Sequence, residues 1–372
     1  MMWSFCNPVK IHFGIGAFAN LPKLIGARPY ALITYGDQTF RNLANNLQEL
    51  SGSARLVYDQ VIPNPDFNQL GDACEYLKNA NAEVIIALGG GSVIDTAKVL
   101  AVGMNGFEAI KVHLASTGKS DLPQEAIPII AVPTTAGTGS EVTKWATVWD
   151  TETSKKYSLS RFDLYPSDAV IDPELMVNLP RDLTIATGLD ALSHALESIW
   201  NINANPISDT YAITAAKKIL VDLPKLIRNP VNIDLRESIS QAAILAGLAF
   251  SNTRTALAHS LSYPVTLHYG VPHGIACSFT LPEIMRVAIG ANPRCDWALS
   301  EIFGDDLQSG SSRLETFIRD LGISTSPNSY GIKTNEWKTW IDNALTGERG
   351  QNFIVPSELA SKALNFRWTN QL

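Results

Sequence analysis

Along the first half of the chain, short runs of β-branched and apolar residues alternate with stretches in which apolar positions recur every three to four residues. YALITYGD (30–37), ARLVYDQV (54–61), EVIIALGGG (83–91) and IPIIAVPTT (127–135) have the length and composition of strands. Between them, DFNQLGDACEYLKNAN (66–81) and SVIDTAKVLAVGM (92–104) carry helical spacing. Strand, helix and strand at this interval predict a parallel sheet with right-handed crossovers. A run such as VIIAL, apolar at every position, predicts that both faces of that sheet are covered. From about residue 180 the period changes: RDLTIATGLDALSHALESIW (181–200), SDTYAITAAKKILVDLPKLI (208–227), DLRESISQAAILAGLAF (234–250) and RLETFIRDLG (313–322) are helical, and strands largely vanish. VIDPELMVNLPRDL (170–183), with two prolines, is the expected junction between an α/β domain over residues 1–179 and an all-α domain over 180–372. Beyond residue 305 the pattern is polar and irregular in places and suggests no task.

A chain of 372 residues has room for two such domains. A charged fraction of 17% and a mean hydropathy of +0.03 describe an ordinary globular protein. The net charge of −7, with no dense Lys/Arg run, argues against a nucleic-acid partner. No uninterrupted apolar stretch is long enough to span a bilayer, and MMWSFCNPVK lacks the basic and apolar regions of a signal peptide. Cys6, Cys74, Cys277 and Cys295 are scattered without a C-x-x-C pair, which suits reduced thiols in a cytoplasmic protein.

Two loops stand out against this background. VIIALGGGSVIDTAK runs from an apolar strand through Gly89, Gly90 and Gly91 into a helix near Ser92. Consecutive glycines let the backbone approach an anion, and the free N–H groups at the helix start favour phosphate. The spacing is neither G-x-G-x-x-G nor a nucleotide-triphosphate loop, so a plain tight turn is the alternative. A second loop, PTTAGTGSEVT (133–143), also follows a strand and offers hydroxyls at the same sheet edge, where α/β ligands sit. Two such loops favour a dinucleotide. Asp37, closing an early strand, fits a ribose-binding carboxylate and hence NAD(H), or else an ordinary turn aspartate. Gly36 before it leaves NADP(H) open.

The helical half holds the second constellation. In TGLDALSHALESIW (187–200), Asp190 and His194 are four apart and share one helix face, with Glu197 one turn on. This is either an exposed polar stripe or half of a metal site. Four of the six histidines lie between 194 and 273. His259 occupies an apolar helical run, His273 sits in a bend between Pro272 and Gly274, and His268 has spacing that also allows it to contribute. One carboxylate with imidazoles suits Fe2+ or Zn2+ and not Mg2+ or Ca2+.

Taken in order, NPVKIHFGIGA, GGGSVIDTAK, PTTAGTGSEVT, VIDPELMVNLP, ATGLDALSHALES and His259-x13-His273-Gly resemble the iron-containing (group III) alcohol dehydrogenase family over nearly the whole chain. The resemblance implies a dehydroquinate synthase-like fold, with an N-terminal dinucleotide-binding α/β domain, a C-terminal helical domain and the site in the cleft. It also implies metal ligands at Asp190, His194, His259 and His273, which excludes His268. Pyrophosphate would be bound at Gly90, Gly91, Ser92 and Asp95, with a second cofactor loop at Thr134, Thr135 and Thr138 and a cofactor lysine at Lys156. Lys155 is an equally placed neighbour. A homodimer or larger homo-oligomer is expected, without a membrane partner.

Two positions depart from the family pattern. Tyr263 stands where many members have a further histidine that helps relay a proton, and a phenol is a poorer shuttle at neutral pH. Arg254, in SNTRTALAH, stands where members commonly have small residues. Its guanidinium suits an anionic tail on the substrate, or a structural ion pair. NTRTALAHSLSYPVTLHYGVPHG resembles the subgroup of phosphonoacetaldehyde reductases, in which Arg254 and Tyr263 would both bind the phosphonate. The implied reaction is hydride transfer from a nicotinamide to an aldehyde polarised by the metal, giving 2-hydroxyethylphosphonate. The alternatives are a general short-chain alcohol, glycerol, lactaldehyde or butanol dehydrogenase of the same family, a dehydroquinate-synthase-like lyase, and a non-enzymatic nucleotide sensor.

Overall fold

The computed structural model describes residues 2–103, 106–116, 122, 125–153 and 155–369. The chain divides into two compact units, one of Asn7–Thr135 with Gly139–Val177, the other of Met1–Cys6, Ala136–Thr138 and Asn178–Leu372.

In the first unit the strands are β1 (Lys10–Phe13), β2 (Tyr30–Ile33), β3 (Leu56–Tyr58), β4 (Val84–Gly89), β5 (Ile129–Pro133), β6 (Trp145–Asp150), β7 (Lys155–Ser160) and β8 (Asp168–Ile171). Six of them form an all-parallel sheet in the order β1-β8-β5-β4-β2-β3. Every residue of β2, β4 and β5 is buried, as the unbroken apolar runs predict. Alternate residues serve opposite faces. Ala31, Ile33, Ile85, Ala87 and Ala131 pack with α3 (Phe67–Lys78), α4 (Gly91–Ala101) and α5 (Phe107–Ala115). Tyr30, Leu32, Ile86, Leu88 and Val132 pack with α1 (Leu21–Ile25) and α2 (Gln38–Ser51). Truncating one of these side chains, for instance Ile86→Ala, costs about 2–5 kcal/mol. Of the helix expected over 92–104, Ser92 to Ala101 is helical and Met104 lies outside the described residues.

β1, β8 and the antiparallel pair β6–β7 are strands that the sequence pattern did not announce. β1 is an edge strand, exposed at Lys10 and Ile11 and only part-buried at His12 and Phe13, so it lacks an apolar run, and it is held by the parallel register Lys10↔Asp168 to Phe13↔Ile171. The hairpin adds an antiparallel element to a domain read as purely parallel; Ala146, Val148 and Leu159 bury its inner face on the α3–α5 layer.

The sheet order places the crevice. The chain leaves β2 outward to β3 but returns to β4 on the other side of β2, so the carboxyl ends of β2 and β4 flank the switch point where α/β ligands sit. The Thr34 hydroxyl donates to the Leu88 carbonyl at 2.8 Å and ties these two ends together.

The second unit is helical: α6 (Arg181–Ile199), α7 (Pro206–Arg228), α8 (Ile233–Thr253), α9 (Leu257–Tyr269), α10 (His273–Ser278), α11 (Leu281–Ala288), α12 (Pro293–Phe303), α13 (Leu307–Asp320), α14 (Thr334–Thr346) and α15 (Ser357–Thr369). The stretch beyond residue 305, irregular by pattern, therefore resolves mainly into three helices. Starts are set locally: Asn205 and Ser208 form a capping box around Pro206, the first helical residue of α7, and the Asn232 side chain accepts from Leu235 N–H. α6 packs against α7, α8 and α10, and nearly all of it from Thr184 onward is buried. No helix among the described residues is long and apolar enough to cross a membrane.

Candidate functional site

Burial decides the first question about α6. Asp190, His194 and Glu197 are 4%, 5% and 0% exposed, so they are not a solvated stripe. Burying three ionisable groups in one helix is costly unless each is matched by a partner. The structure supplies only some of those partners.

Glu197 is fully matched. Its Oε2 accepts from Ala256 N–H at 2.9 Å and from His259 Nδ1 at 2.6 Å, and its Oε1 accepts from the N–H groups of Ala258 and His259. A carboxylate can only accept here, so His259 donates from Nδ1, which leaves Nε2 as the atom to be taken by a second proton or by a metal ion. That Nε2 has no hydrogen-bond partner, nor has Asp190 Oδ1, which faces it at 3.5 Å, nor has His194 Nδ1. Three buried polar atoms without partners, on three of the four expected ligands, are what a bound cation would satisfy.

The ligand atoms of Asp190, His259, His273 and Cys277 all lie within 4.8 Å of one another. Cys277 was not expected: its Sγ stands 3.7 Å from His273 Nε2, one helical turn away on α10. His194 lies beside this group and not within it. Its ring stacks on Phe250 at 4.0 Å and on His259 at 4.5 Å between centroids. Gly274 keeps His273 close to α6, since a Cβ there would stand 1.9 Å from the Ala186 carbonyl oxygen.

The electrostatics agree with a cation site. Burial pushes the Asp190 carboxyl up, but His194, His259 and His273 outweigh it and hold it well below the carboxylate range. Burial pushes His194 down to about 4 against the pull of Asp190, so it is neutral and able to ligate. Burial also opposes charge on His259, yet Cys277 and Glu197 raise it well above the usual histidine value. Two buried carboxylates thus demand positive charge between them, as a proton or as a metal ion.

The remaining histidine candidate is accounted for elsewhere. His268 is exposed at the end of α9 and stacks on Trp340 at 5.9 Å. Tyr263 is half-buried, its ring parallel to that of His273 at 6.3 Å, and burial pushes its phenol up, opposed by Arg349 and His259. Arg254 is an exposed residue in an ion pair, Nη1 to Glu348 Oε1 at 2.7 Å, with a positive φ of 66° at the end of α8. The ion-pair alternative raised by its sequence position is therefore the arrangement observed. A second cation, Arg349, was not anticipated. Its guanidinium lies 5.1 Å over the Tyr263 ring and donates to the Thr255 hydroxyl at 3.3 Å.

In the α/β unit, Gly90 is the N-cap of α4 and offers no side chain to its free N–H groups. Gly89 must be glycine because a Cβ would collide with Val93 at 2.4 Å. Thr134 N–H donates to the Gly89 carbonyl and Gly90 faces Thr135, so the two loops flank one backbone turn. The Ser92 hydroxyl accepts from Asn64 N–H. Asp95 points into protein: its oxygens accept from the Ser140 hydroxyl at 2.6 Å and from Thr147 N–H at 2.9 Å. Buried Lys98 donates to Ser140, Thr143 and the Trp145 carbonyl, so Asp95 and Lys98 together hold the second loop to α4. Thr138 belongs to the segment grouped with the helical unit. Lys156 Nζ lies 5.1 Å over the Trp149 ring, and Lys155 is exposed. Asp37 is the exposed N-cap of α2, accepting from the N–H groups of Thr39 and Phe40. Gly36 is required by the Asp59 carbonyl, 2.7 Å from where a Cβ would stand.

Comparison with known proteins gives the family. Residues 8–173 match the iron-containing alcohol dehydrogenase family, and residues 184–361 match the C-terminal region of the Fe-containing alcohol dehydrogenase family. The chain is 31% identical to an NAD-dependent methanol dehydrogenase of Bacillus methanolicus, over 92% of this chain and 93% of that protein. It is 29% identical to a sulfoacetaldehyde reductase of Bilophila wadsworthia, over 91% and 92%. The solved structure of a sulfoacetaldehyde reductase from Bifidobacterium kashiwanohense, in complex with NAD+, superposes with a TM-score of 0.92 at 29% identity, covering 100% of this chain and 98% of that one. The chain is an oxidoreductase that belongs to the iron-containing alcohol dehydrogenase family.

Proposed function

We propose that the protein is a metal-dependent, nicotinamide-linked aldehyde reductase whose substrate is a short aldehyde with an anionic tail, phosphonoacetaldehyde being the best fit. The observation that carries the metal-dependent part is the set of three buried atoms without a hydrogen bond on Asp190, His194 and His259. Asp190, His194, His259 and His273 would hold one divalent ion, iron by family likeness, with Zn2+ the alternative that the same donors accept. When bound, that ion supplies Lewis-acid polarisation of a carbonyl and the reduced nicotinamide supplies hydride.

The chain's own residues supply the rest. Glu197 fixes the His259 tautomer and ring orientation. The open N-terminus of α4 at Gly90 and Gly91 would bind the pyrophosphate, with Ser92, Thr134, Thr135, Thr138 and Lys156 around the cofactor and Asp95 and Lys98 positioning the second loop. Asp37, a carboxylate beyond β2 at the switch point, favours NAD(H) over NADP(H) by repelling a 2′-phosphate. With its phenol pushed up by burial, Tyr263 keeps its proton at neutral pH and serves as a donor to the substrate, not as a relay. Four free cysteines agree with a reducing, cytoplasmic setting, and a homo-oligomer is part of the proposal. The anionic-tail reading draws on the relatives named as sulfoacetaldehyde reductases and on Arg349, which reaches the Thr255 hydroxyl, whereas Arg254 is taken up by Glu348.

The test is NADH and NADPH oxidation by iron- or zinc-loaded protein, with phosphonoacetaldehyde beside sulfoacetaldehyde and unsubstituted aldehydes of the same length. A kcat/KM preference for the phosphonate supports the proposal. A preference for a neutral aldehyde, or for sulfonate over phosphonate, refutes the substrate.

A further inference from the structure

The structure assigns recognition of the substrate's anionic group to Arg349, a specificity-determining residue, and relieves Arg254 of that role. The inference rests on the anionic-aldehyde reading above. Four observations carry it. The first is pairing: the Arg254 guanidinium is taken up at the surface by Glu348 at 2.7 Å, whereas Arg349 has no carboxylate within ion-pair distance among the described residues. Second, Arg349 lies over one ring, Tyr263, that is itself parallel to His273 at 6.3 Å, so its charge stands two ring contacts from the metal group.

The third is that the guanidinium is held but not used up. Among the described residues its one hydrogen bond runs from Nη1 to the Thr255 hydroxyl, and Thr255 is itself fixed where Asn352 Nδ2 donates to its carbonyl at 2.9 Å. A guanidinium has five N–H donors, so an edge remains for a bidentate anion. The fourth is a backbone that sets the position: Gly350 follows immediately, and a Cβ there would stand 1.8 Å from the Ala344 carbonyl oxygen. The segment is pressed against the end of α14, and a larger residue at 350 would displace Arg349. The ligand class is a tetrahedral or planar oxyanion joined by a short linker to the aldehyde, as in a phosphonate, a sulfonate or a carboxylate.

The experiment compares wild type with Arg349→Met, Arg349→Lys and Arg254→Met, each loaded with metal, on phosphonoacetaldehyde and on propanal. The readout is the ratio of the two kcat/KM values, with thermal midpoint and metal content reporting the fold. Loss of a charge-assisted contact predicts that Arg349→Met lowers the ratio about tenfold to a hundredfold. Arg349→Lys should recover part of it, and Arg254→Met should leave the ratio near that of wild type. Equal losses on both aldehydes in Arg349→Met, or a collapse of the ratio in Arg254→Met, would overturn the assignment. A second measurement separates the inference from the substrate reading: inhibition of propanal reduction by methylphosphonate. An inhibition constant about tenfold weaker in Arg349→Met supports the anion site even if wild type shows no preference for the phosphonate aldehyde. An unchanged constant overturns it.

Discussion

Replacing Glu197 with glutamine probes how the site is organised, because the change is isosteric and touches no ligand atom. In the wild type two carboxylate oxygens receive four hydrogen bonds, from Ala256, Ala258 and His259 N–H and from His259 Nδ1. Glutamine has one acceptor oxygen and one NH2 group. In one orientation the NH2 confronts Nδ1 of His259, which must then move its proton to Nε2 and lose the lone pair aimed at the metal. In the other orientation the NH2 confronts the backbone N–H groups of Ala258 and His259. Either way a fully buried donor pair is left facing a donor, at about 1–3 kcal/mol for each group left unsatisfied. Outer-shell changes of this kind weaken metal binding about tenfold to a hundredfold, or about 1.4–2.8 kcal/mol at 1.4 kcal/mol per tenfold. The assay is competition for Zn2+ or Fe2+ against a chelating dye, with circular dichroism confirming the fold. Unchanged affinity in a folded Glu197→Gln protein would refute the argument that this carboxylate sets the imidazole tautomer.

Other outcomes follow from the same geometry. His259→Ala should abolish activity and metal content together; stoichiometric metal in that variant, by elemental analysis, would contradict its assignment as a ligand. Lys98→Met strands the acceptors on Ser140, Thr143 and Trp145 and removes the nearby charge that favours the buried Asp95 carboxylate, and should destabilise the protein by about 3–5 kcal/mol in urea melts while raising KM for the dinucleotide; a change below about 1 kcal/mol would show that the buried amine, held down to about 8 by burial, is dispensable. Thiol titration of the native protein should modify exposed Cys6 alone. Cys74, Cys277 and Cys295 are buried, with the first and last pushed up to about 12 by burial, so prompt labelling of any of the three would contradict the packing. Chelation should lower the thermal midpoint, because an ion at one hundred times its Kd adds about 2.7 kcal/mol, and a midpoint indifferent to metal would show that no such ion binds the native state.

The parallel core of the first unit was legible because its strands are buried on both faces and are therefore apolar at every position. β1, β8 and the β6–β7 hairpin were not, since edge and short strands are defined by their partners more than by composition. Asp190 and His194 could be paired from helical spacing, and His259 and His273 stood as candidates beside His268 until the family resemblance separated them. Burial of Asp190, His194 and Glu197 could not be read from a helix whose apolar residues run nearly all round it. Glu197 was visible one turn past His194, yet its role depends on three N–H groups at the start of α9, more than fifty residues on. Cys277 at i+4 from His273 was a local signal that went unread, whereas Arg349 follows α14 in a segment with no pattern of its own and meets Tyr263 only through the tertiary fold. Arg254 shows the converse: a distinctive position in the sequence that a single distant carboxylate, Glu348, occupies.

The central claim, one divalent ion held by side chains from α6, α9 and α10, is tested most directly by anomalous diffraction at the iron or zinc edge on crystals of loaded protein. A single strong peak is expected at about 2.0–2.3 Å from nitrogen or oxygen atoms of Asp190, His194, His259 and His273. No peak there under saturating iron and zinc, or an ion bound by other residues, would contradict it.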